Sequence, residues 1–181
     1  HNTHVDGNFL ITSWYRDGTV VHDISNPHNL VQVAYYDSYS GSGDGFDGCW
    51  GTYPFLPSDV IISSDINSTS NGTARLLIYE RGFSGACFLE GNVTDGNTGS
   101  SISGADVVIL NTTMPNSSST NLTGFYDSGN ADSGSFDVVF SKIGYISDTL
   151  QANLINGQVV ILNSILYPDS NAIILGCMDP L

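Results

Sequence analysis

Short apolar runs alternate with turn-forming residues along the first half of the chain. The runs FLITSWY, TVVHDI and LVQVAYY are separated by RDG and SNP. Apolar runs bounded by Gly, Pro, Asn and Asp are typical of β-strands. Asp17-Gly18 between two such runs predicts a hairpin, because both residues tolerate a positive φ. With the later runs DVIISSD and ARLLIYE, the pattern predicts a meander of short antiparallel strands.

A second rhythm begins near residue 86, where turn residues recur about every ten positions. Apolar and polar residues alternate at Val107 to Ile109, Phe136 to Phe140 and Val159 to Ile161. Seven or so short strands at this spacing predict a small β-sandwich. No helical stripe and no apolar run of membrane-spanning length is visible. The whole chain is therefore predicted to be all-β.

Charge narrows the range of partners. The sequence has 18 Asp and Glu against 4 Lys and Arg, which gives a net charge of −14. Such an acidic chain repels phosphate backbones, and its cations are scattered rather than clustered, which argues against nucleic acid binding. These cations are Arg16, Arg75, Arg81 and Lys142.

The first segment resembles a known family of β-propellers. GNFLITSWYRDGTVVHDISNPHNLVQVAYYD resembles the LVIVD-type repeat of secreted bacterial propellers, and FDGCWGTYPFLPSDVIISSD resembles the closing portion of the choice-of-anchor B family. The resemblance implies a Bacteroidetes-type exported surface protein. Residues 1–85 would form about two propeller blades of ~40 residues each, too few for a closed ring. An isolated pair of blades leaves a face uncovered, so we expect further chain or another subunit to cover it.

The same resemblance bears on the histidines near the start of the sequence. A metal site through His1, His4 and His22 would use His1 as a free terminal amine. The repeat phase instead places the first residues on a strand in mid-protein. Side chains alternating along β-strands are therefore the preferred interpretation.

The second segment resembles the carboxypeptidase regulatory-like domain, a seven-stranded transthyretin-like sandwich. The resemblance implies a spacer or interaction module at residues 86–168 that has no catalytic machinery. The matching motifs are Gly91–Asp95, Thr98-Gly99, Ile102–Val107, Thr123–Tyr126, Gly134–Val138, Lys142–Tyr145 and Leu162–Leu166.

The tail, residues 169–181, contains GCMDPL, which resembles the start of a Cys-rich repeat in large surface proteins of the same bacteria. Cys49, Cys87 and Cys177 lack zinc-ligand spacing, so one pair and one leftover is the simplest arrangement. The resemblances favour a Cys49–Cys87 disulfide joining the two segments, which would contribute about 3–4 kcal/mol in an oxidising compartment. Cys87 with Cys177 is the alternative pairing.

Three further kinds of site are candidates. The Gly-rich loop DSYSGSGDGFDG offers Asp37, Asp44 and Asp47 to a calcium ion, although a solvated acidic turn is the simpler interpretation because the EF-hand spacing is missing. The DTL at Thr149 resembles an O-glycosylation signal. Asn-x-Ser/Thr sequons, the acceptors of N-glycans, lie at Asn67, Asn71, Asn92, Asn111, Asn116 and Asn121.

No nucleophile elbow, phosphate loop or zinc helix is present, so the sequence predicts a protein that is not an enzyme. The main hypothesis is a secreted structural or adhesive surface protein, as a subunit of an extracellular filament or coat, whose partners are further copies of itself or other segments of one precursor. One alternative is a carbohydrate-binding module that recognises surface polysaccharide; a third is an accessory region of a larger secreted hydrolase. The binding platform in that first alternative is Trp14, Tyr15, Trp50 and Tyr53.

Overall fold

The computed structural model describes residues 1–67, 72–114 and 116–170. Every regular element in these ranges is a β-strand, which confirms the all-β prediction. The chain divides into two compact units between Ala86 and Cys87, here called the first and the second unit. No helix in the described residues is long and apolar enough to cross a membrane.

The first unit contains two antiparallel sheets. One is a four-stranded meander in the order β1-β2-β3-β4, and the other has the order β5-β6-β7. Neither sheet belongs to a closed ring of blades in the described residues, so the propeller remains a prediction. The strands are β1 (Thr3–Asp6), β2 (Phe9–Ser13), β3 (Thr19–Asp23), β4 (Val31–Tyr36), β5 (Gly48–Tyr53), β6 (Ile61–Ile66) and β7 (Arg75–Tyr79).

The predicted hairpin between β2 and β3 is present, with a different turn. Gly18 has a positive φ of 81°, as expected, but the second residue with a positive φ is Tyr15 at 50° rather than Asp17. Any side chain at position 18 would clash with the backbone, because its Cβ would lie 1.9 Å from the carbonyl oxygen of Tyr36. Within the five-residue connection from Trp14 to Gly18, Tyr15 has a backbone conformation that is unusual for a residue with a side chain.

The two sheets of the first unit bury one face each against the other. Thr19 Oγ1 of β3 lies 2.7 Å from Ser63 Oγ of β6 and 3.3 Å from Cys49 Sγ of β5. Beside these contacts lies a mainly apolar cavity of about 260 Å³ lined by residues that include Val21, Val33, Ile61 and Tyr79. The mutual cover leaves each sheet with a second face that points away from its partner.

The second unit is a sandwich of two sheets. One has the order β10-β9-β12-β13, and the other the order β11-β8-β14, with β15 also paired to β8. All pairings are antiparallel except those of β14 and β15 with β8. The strands are β8 (Cys87–Asp95), β9 (Asp106–Ile109), β10 (Ser117–Ser119), β11 (Phe125–Asn130), β12 (Gly134–Ser141), β13 (Asp148–Leu154), β14 (Val159–Ile161) and β15 (Ser164–Leu166).

The return of the chain beside β8 depends on a glycine. A Cβ at Gly91 would lie 2.0 Å from the carbonyl oxygen of Leu162, in the break between β14 and β15. The same carbonyl accepts a hydrogen bond of 2.7 Å from the hydroxyl of Tyr126, whose ring is buried against Phe140. Burial raises the pKa of Tyr126 far above its ordinary value. The motif residue Gly91 is thus needed for close approach of two backbones.

Asp95 fastens one end of the sandwich. Its Oδ1 accepts hydrogen bonds from the backbone nitrogens of Thr98 at 2.9 Å and Asn97 at 2.8 Å, and its Oδ2 accepts one from the Tyr145 hydroxyl at 2.8 Å. The bond from Thr98, followed by those from Tyr145 and Asn97, holds the pKa of Asp95 below its ordinary value. The ionised carboxylate is therefore the form that the fold stabilises.

We expect Asp95→Asn to lower the thermal unfolding midpoint of the second unit at pH 7. Because folding lowers the pKa of Asp95, its stabilisation is complete above the unfolded-state pKa and is lost as the pH falls through the folded-state value. The stability of the wild-type protein should therefore fall more steeply than that of the variant between about pH 5 and pH 2. Thermal melts followed by circular dichroism measure both effects.

Asp127→Asn is the matched control, since Asp127 is exposed on β11. It should leave the midpoint at pH 7 nearly unchanged. Equal losses in the two variants would contradict a structural role for the Asp95 turn.

Candidate functional site

Arg16, in the β2–β3 connection, organises the acidic loop that precedes β5. Its Nη1 donates to the carbonyl oxygens of Ser42, Gly43 and Asp44 at 3.1, 2.9 and 2.7 Å. Its Nη2 donates to Asp47 Oδ2 at 2.6 Å, and its guanidinium lies 4.6 Å from the centre of the Tyr39 ring. The bond from Arg16, followed by one from Asn67, holds the pKa of Asp47 below its ordinary value.

The three aspartates weighed as calcium ligands at this loop do not converge on a common point in the described residues. Asp37 accepts a bond from the backbone nitrogen of Tyr39, Asp44 contributes its carbonyl to Arg16, and Asp47 pairs with the same guanidinium. No group of three His, Cys, Asp or Glu side chains that could hold a metal ion occurs in the described residues. Arg16 bonds the Asp47 carboxylate and the Asp44 carbonyl, contacts that the sequence pattern could not reveal.

Beside this loop, four rings form a continuous row, here called the aromatic row: Phe46, Tyr15, Trp50 and His1. Ring centres are 5.2 Å apart for Phe46 and Tyr15, 6.0 Å for Tyr15 and Trp50, and 4.2 Å for Trp50 and His1. The first two pairs are edge-to-face and the last is stacked. His1 also lies 6.1 Å from Tyr15, so Tyr15, Trp50 and His1 form a triangle, with Phe46 at its Tyr15 corner. Phe46 is 75% exposed and Trp50 is 41% exposed, so the row faces solvent.

The structure divides the predicted binding platform. Tyr15 and Trp50 belong to the aromatic row, whereas Tyr53 packs edge-on against Phe55 at 5.5 Å and His4 at 6.0 Å. Trp14 is exposed and makes no ring contact with another described aromatic residue. Phe46 and His1 were not predicted, because only the folded chain brings their separate sequence positions beside Tyr15.

Hydrogen bonds fix the strand that carries Trp50. Tyr15 and Cys49 exchange backbone bonds of 3.1 and 2.8 Å. The side-chain amide of Asn2 bonds the backbone of Thr52 in both directions, at 3.0 and 2.9 Å, and Ser13 Oγ donates to the Trp50 carbonyl at 3.2 Å. The row is therefore built on a backbone framework rather than on a free loop.

The disulfide predicted between Cys49 and Cys87 is not formed in the structure, where both are free thiols. Cys49 is fully buried in the first unit, between Thr19 Oγ1 and the carbonyl of Gly51, while Cys87 is fully buried in the core of the second unit. Burial raises the pKa of both thiols, so neither is an activated nucleophile. The pairing remains a prediction, and Cys177 lies outside the described residues.

The predicted glycosylation sites differ in accessibility. Thr149 and four of the asparagines are exposed, whereas Asn116 is half-buried and accepts a bond of 2.7 Å from Ser128 Oγ. Asn71 lies outside the described residues. Modification itself remains a prediction at every site. The exposed asparagines are Asn67, Asn92, Asn111 and Asn121.

A comparison with family models found a match within the second half of the chain. Residues 89–173 match the model of the CarboxypepD_reg-like domain. The match supports the carboxypeptidase regulatory-like domain predicted from the sequence motifs. The choice-of-anchor B assignment of the first unit remains a prediction, and no curated protein matches the chain.

Solved structures show only distant similarity, at 12% identity. The major pilin subunit BcpA of Bacillus cereus matches 61% of this chain and 38% of its own, with a TM-score of 0.38. The minor pilin GBS52 of Streptococcus agalactiae matches over 69% of this chain and 66% of its own length, with a TM-score of 0.40. The group B streptococcus pilus 2b backbone protein matches over 78% of this chain and 65% of its own length, with a TM-score of 0.38. The chain spans less than two thirds of the length of each, and TM-scores this low carry no argument about function.

We expect Arg16→Gln to release the loop of residues 37–47. The variant loses the charge that holds Asp47 and the donors that hold three carbonyls. Amide hydrogen exchange in the loop should become several-fold faster, while exchange in β8 and β12 stays unchanged. Arg75→Gln, an exposed cation on β7, is the control of equal charge. Slowing of exchange in the wild-type loop by added calcium would contradict the role given to Arg16.

We expect Cys49 and Cys87 to react slowly with iodoacetamide in the folded protein and completely after denaturation without reductant. The reason is that burial excludes the reagent and keeps both thiols protonated. Peptide mapping by mass spectrometry of protein exported to an oxidising compartment measures the result. Recovery of a disulfide-linked Cys49–Cys87 peptide would instead establish the predicted bridge.

Proposed function

We propose that this chain is a non-catalytic component of a secreted cell-surface protein, and that it has a structural or adhesive role in a filament or coat of associated copies. The observation that carries the proposal is an apolar face of the β5–β7 sheet that lies open to solvent. Leu76 and Ile78 on this face are 68% and 66% exposed.

Strand register defines this outer face. Tyr53 lies opposite Ile62, which lies opposite Ile78. Two residues further along β6, Ser64 lies opposite Leu76 on the same face. These side chains point away from the face that carries Ile61 and Ser63, which is buried in the first unit. Covering a Leu or Ile side chain of this kind contributes roughly 1.5–3 kcal/mol when burial is complete.

A second copy of a similar sheet is the partner that fits. Within the first unit, the opposite face of β5–β7 is already covered by a four-stranded sheet, so sheet-on-sheet packing is the mode in which this element buries its surface. The far edge of β7 pairs with no described strand, and unpaired edges accept strands from other chains. Packing of this face on the same face of a second copy gives a closed dimer, whereas packing on a different face of the next copy gives open chains when the rotation does not close.

The second unit supports a spacer or interaction role. It has its own closed core, and the family that it matches is a regulatory-type domain. A non-catalytic role is supported by the two buried thiols, whose pKa values burial raises, and by the pairing of the Asp47 carboxylate with Arg16. The propeller end predicted for the first unit fits the same role, because an incomplete stack of blades needs a neighbour.

Sedimentation velocity over a range of protein concentrations tests the association. We expect the wild-type chain to form concentration-dependent oligomers, and we expect Ile78→Glu to weaken association roughly tenfold or more, because a charge cannot be buried on an apolar face. Electron microscopy of the concentrated sample should show extended assemblies that the variant lacks.

Leu122→Glu provides the control, because Leu122 is 90% exposed on a turn of the second unit. This variant should associate like the wild-type protein. A wild-type chain that stays monomeric at every concentration would overturn the proposal.

A further inference from the structure

We propose that the aromatic row of the first unit binds a neutral carbohydrate chain. The row presents two exposed rings, Phe46 and Trp50, on either side of Tyr15. Tyr15 is edge-to-face with both of them, so a sugar ring can pack against Phe46 or Trp50 but not against four successive faces. The C–H groups on the faces of a pyranose carry partial positive charge and pack favourably against the negative face of an aromatic ring.

The composition of the row favours a sugar over another protein surface. Its members are all aromatic or imidazole rings, whereas on the outer face of β5–β7 the most exposed side chains are the aliphatic Leu76 and Ile78, beside the single ring of Tyr53. Aliphatic side chains suit burial against another apolar core, but they offer a hydroxylated ring no π-face. The two surfaces therefore differ chemically, and each suits a different partner.

The row is held in place before any ligand arrives. Tyr15 has a φ of 50°, which is uncommon for a residue with a side chain, and its backbone is fixed by two bonds to Cys49. Strained backbone conformations of this kind are concentrated at functional sites. Arg16 holds the loop that carries Phe46, and Trp50 is stacked on His1. A rigid platform loses little conformational entropy on binding, which favours affinity.

Charge selects a neutral sugar. The chain has a net charge of −14, so a polysaccharide rich in uronate or sulfate is repelled. Arg16, the cation beside the row, already bonds Asp47 and three carbonyls. Arg16 is therefore not available to pair with the charge of an acidic sugar. Hydroxyl groups, in contrast, can hydrogen-bond to the Tyr15 phenol and the His1 imidazole at the sides of the row.

Isothermal titration calorimetry of the full 181-residue chain with neutral hexose oligosaccharides, for example gluco-, manno- and galacto-oligosaccharides, tests the proposal. We expect measurable binding of at least one of them, weakened about 3- to 10-fold by Phe46→Ala and by Trp50→Ala. Phe46 is mostly exposed, so its replacement should leave folding intact even if Trp50→Ala does not. Leu76→Ala, which alters the outer face, should bind sugar like the wild-type protein.

Binding of no neutral oligosaccharide, binding only of acidic ones, or equal affinity of Phe46→Ala and the wild-type protein would overturn the proposal. Loss of self-association in Phe46→Ala without any sugar binding would assign the row to a contact between copies instead. Because Ile78→Glu tests association separately, failure of one proposal leaves the other open to its own test.

Discussion

A β-sheet has two faces, and the first unit of this chain covers only one face of the sheet β5–β7. Contacts of Thr19 with Ser63 and Cys49 join that sheet to β1–β4, and the small polar side chains let the two sheets approach closely. The cover is one-sided, since Leu76 and Ile78 remain in solvent. The exposed face and the proposed association of copies both follow from this arrangement.

In the second unit, the two sheets cover each other's inner faces. Its two sheets enclose a core that includes Leu89, Val107, Phe140 and Leu166. The chain returns beside β8 in parallel, and this return is possible because Gly91 lets the carbonyl of Leu162 approach. Residues 89–173, which include most of this sandwich, match the model of the CarboxypepD_reg-like domain. The two units thus differ in how completely their sheets are covered.

Arg16 connects the turn of the first hairpin to the surface that we assign to sugar. One guanidinium bonds three carbonyls and a carboxylate of a Gly-rich loop, and thereby orders the segment that carries Phe46. The sequence offered Asp37, Asp44 and Asp47 of this loop to calcium, with a solvated acidic turn as the simpler interpretation. The cation that bonds the loop in the structure is part of the chain, and the aromatic row lies beside it.

Apolar runs bounded by turn-forming residues were sufficient to predict the strands β2, β3, β4, β6 and β7, because β-branched and aromatic residues between Gly, Pro, Asn and Asp are typical of short strands. Motif spacing likewise indicated the family of the second unit. The pattern did not predict β5, whose sequence GCWGTY contains two glycines, nor the pairing of Arg16 with its loop. Strand pairing and ring contacts join residues that are far apart in sequence, so the aromatic row, the location of the thiols and the open face of β5–β7 were decided only when the chain folded.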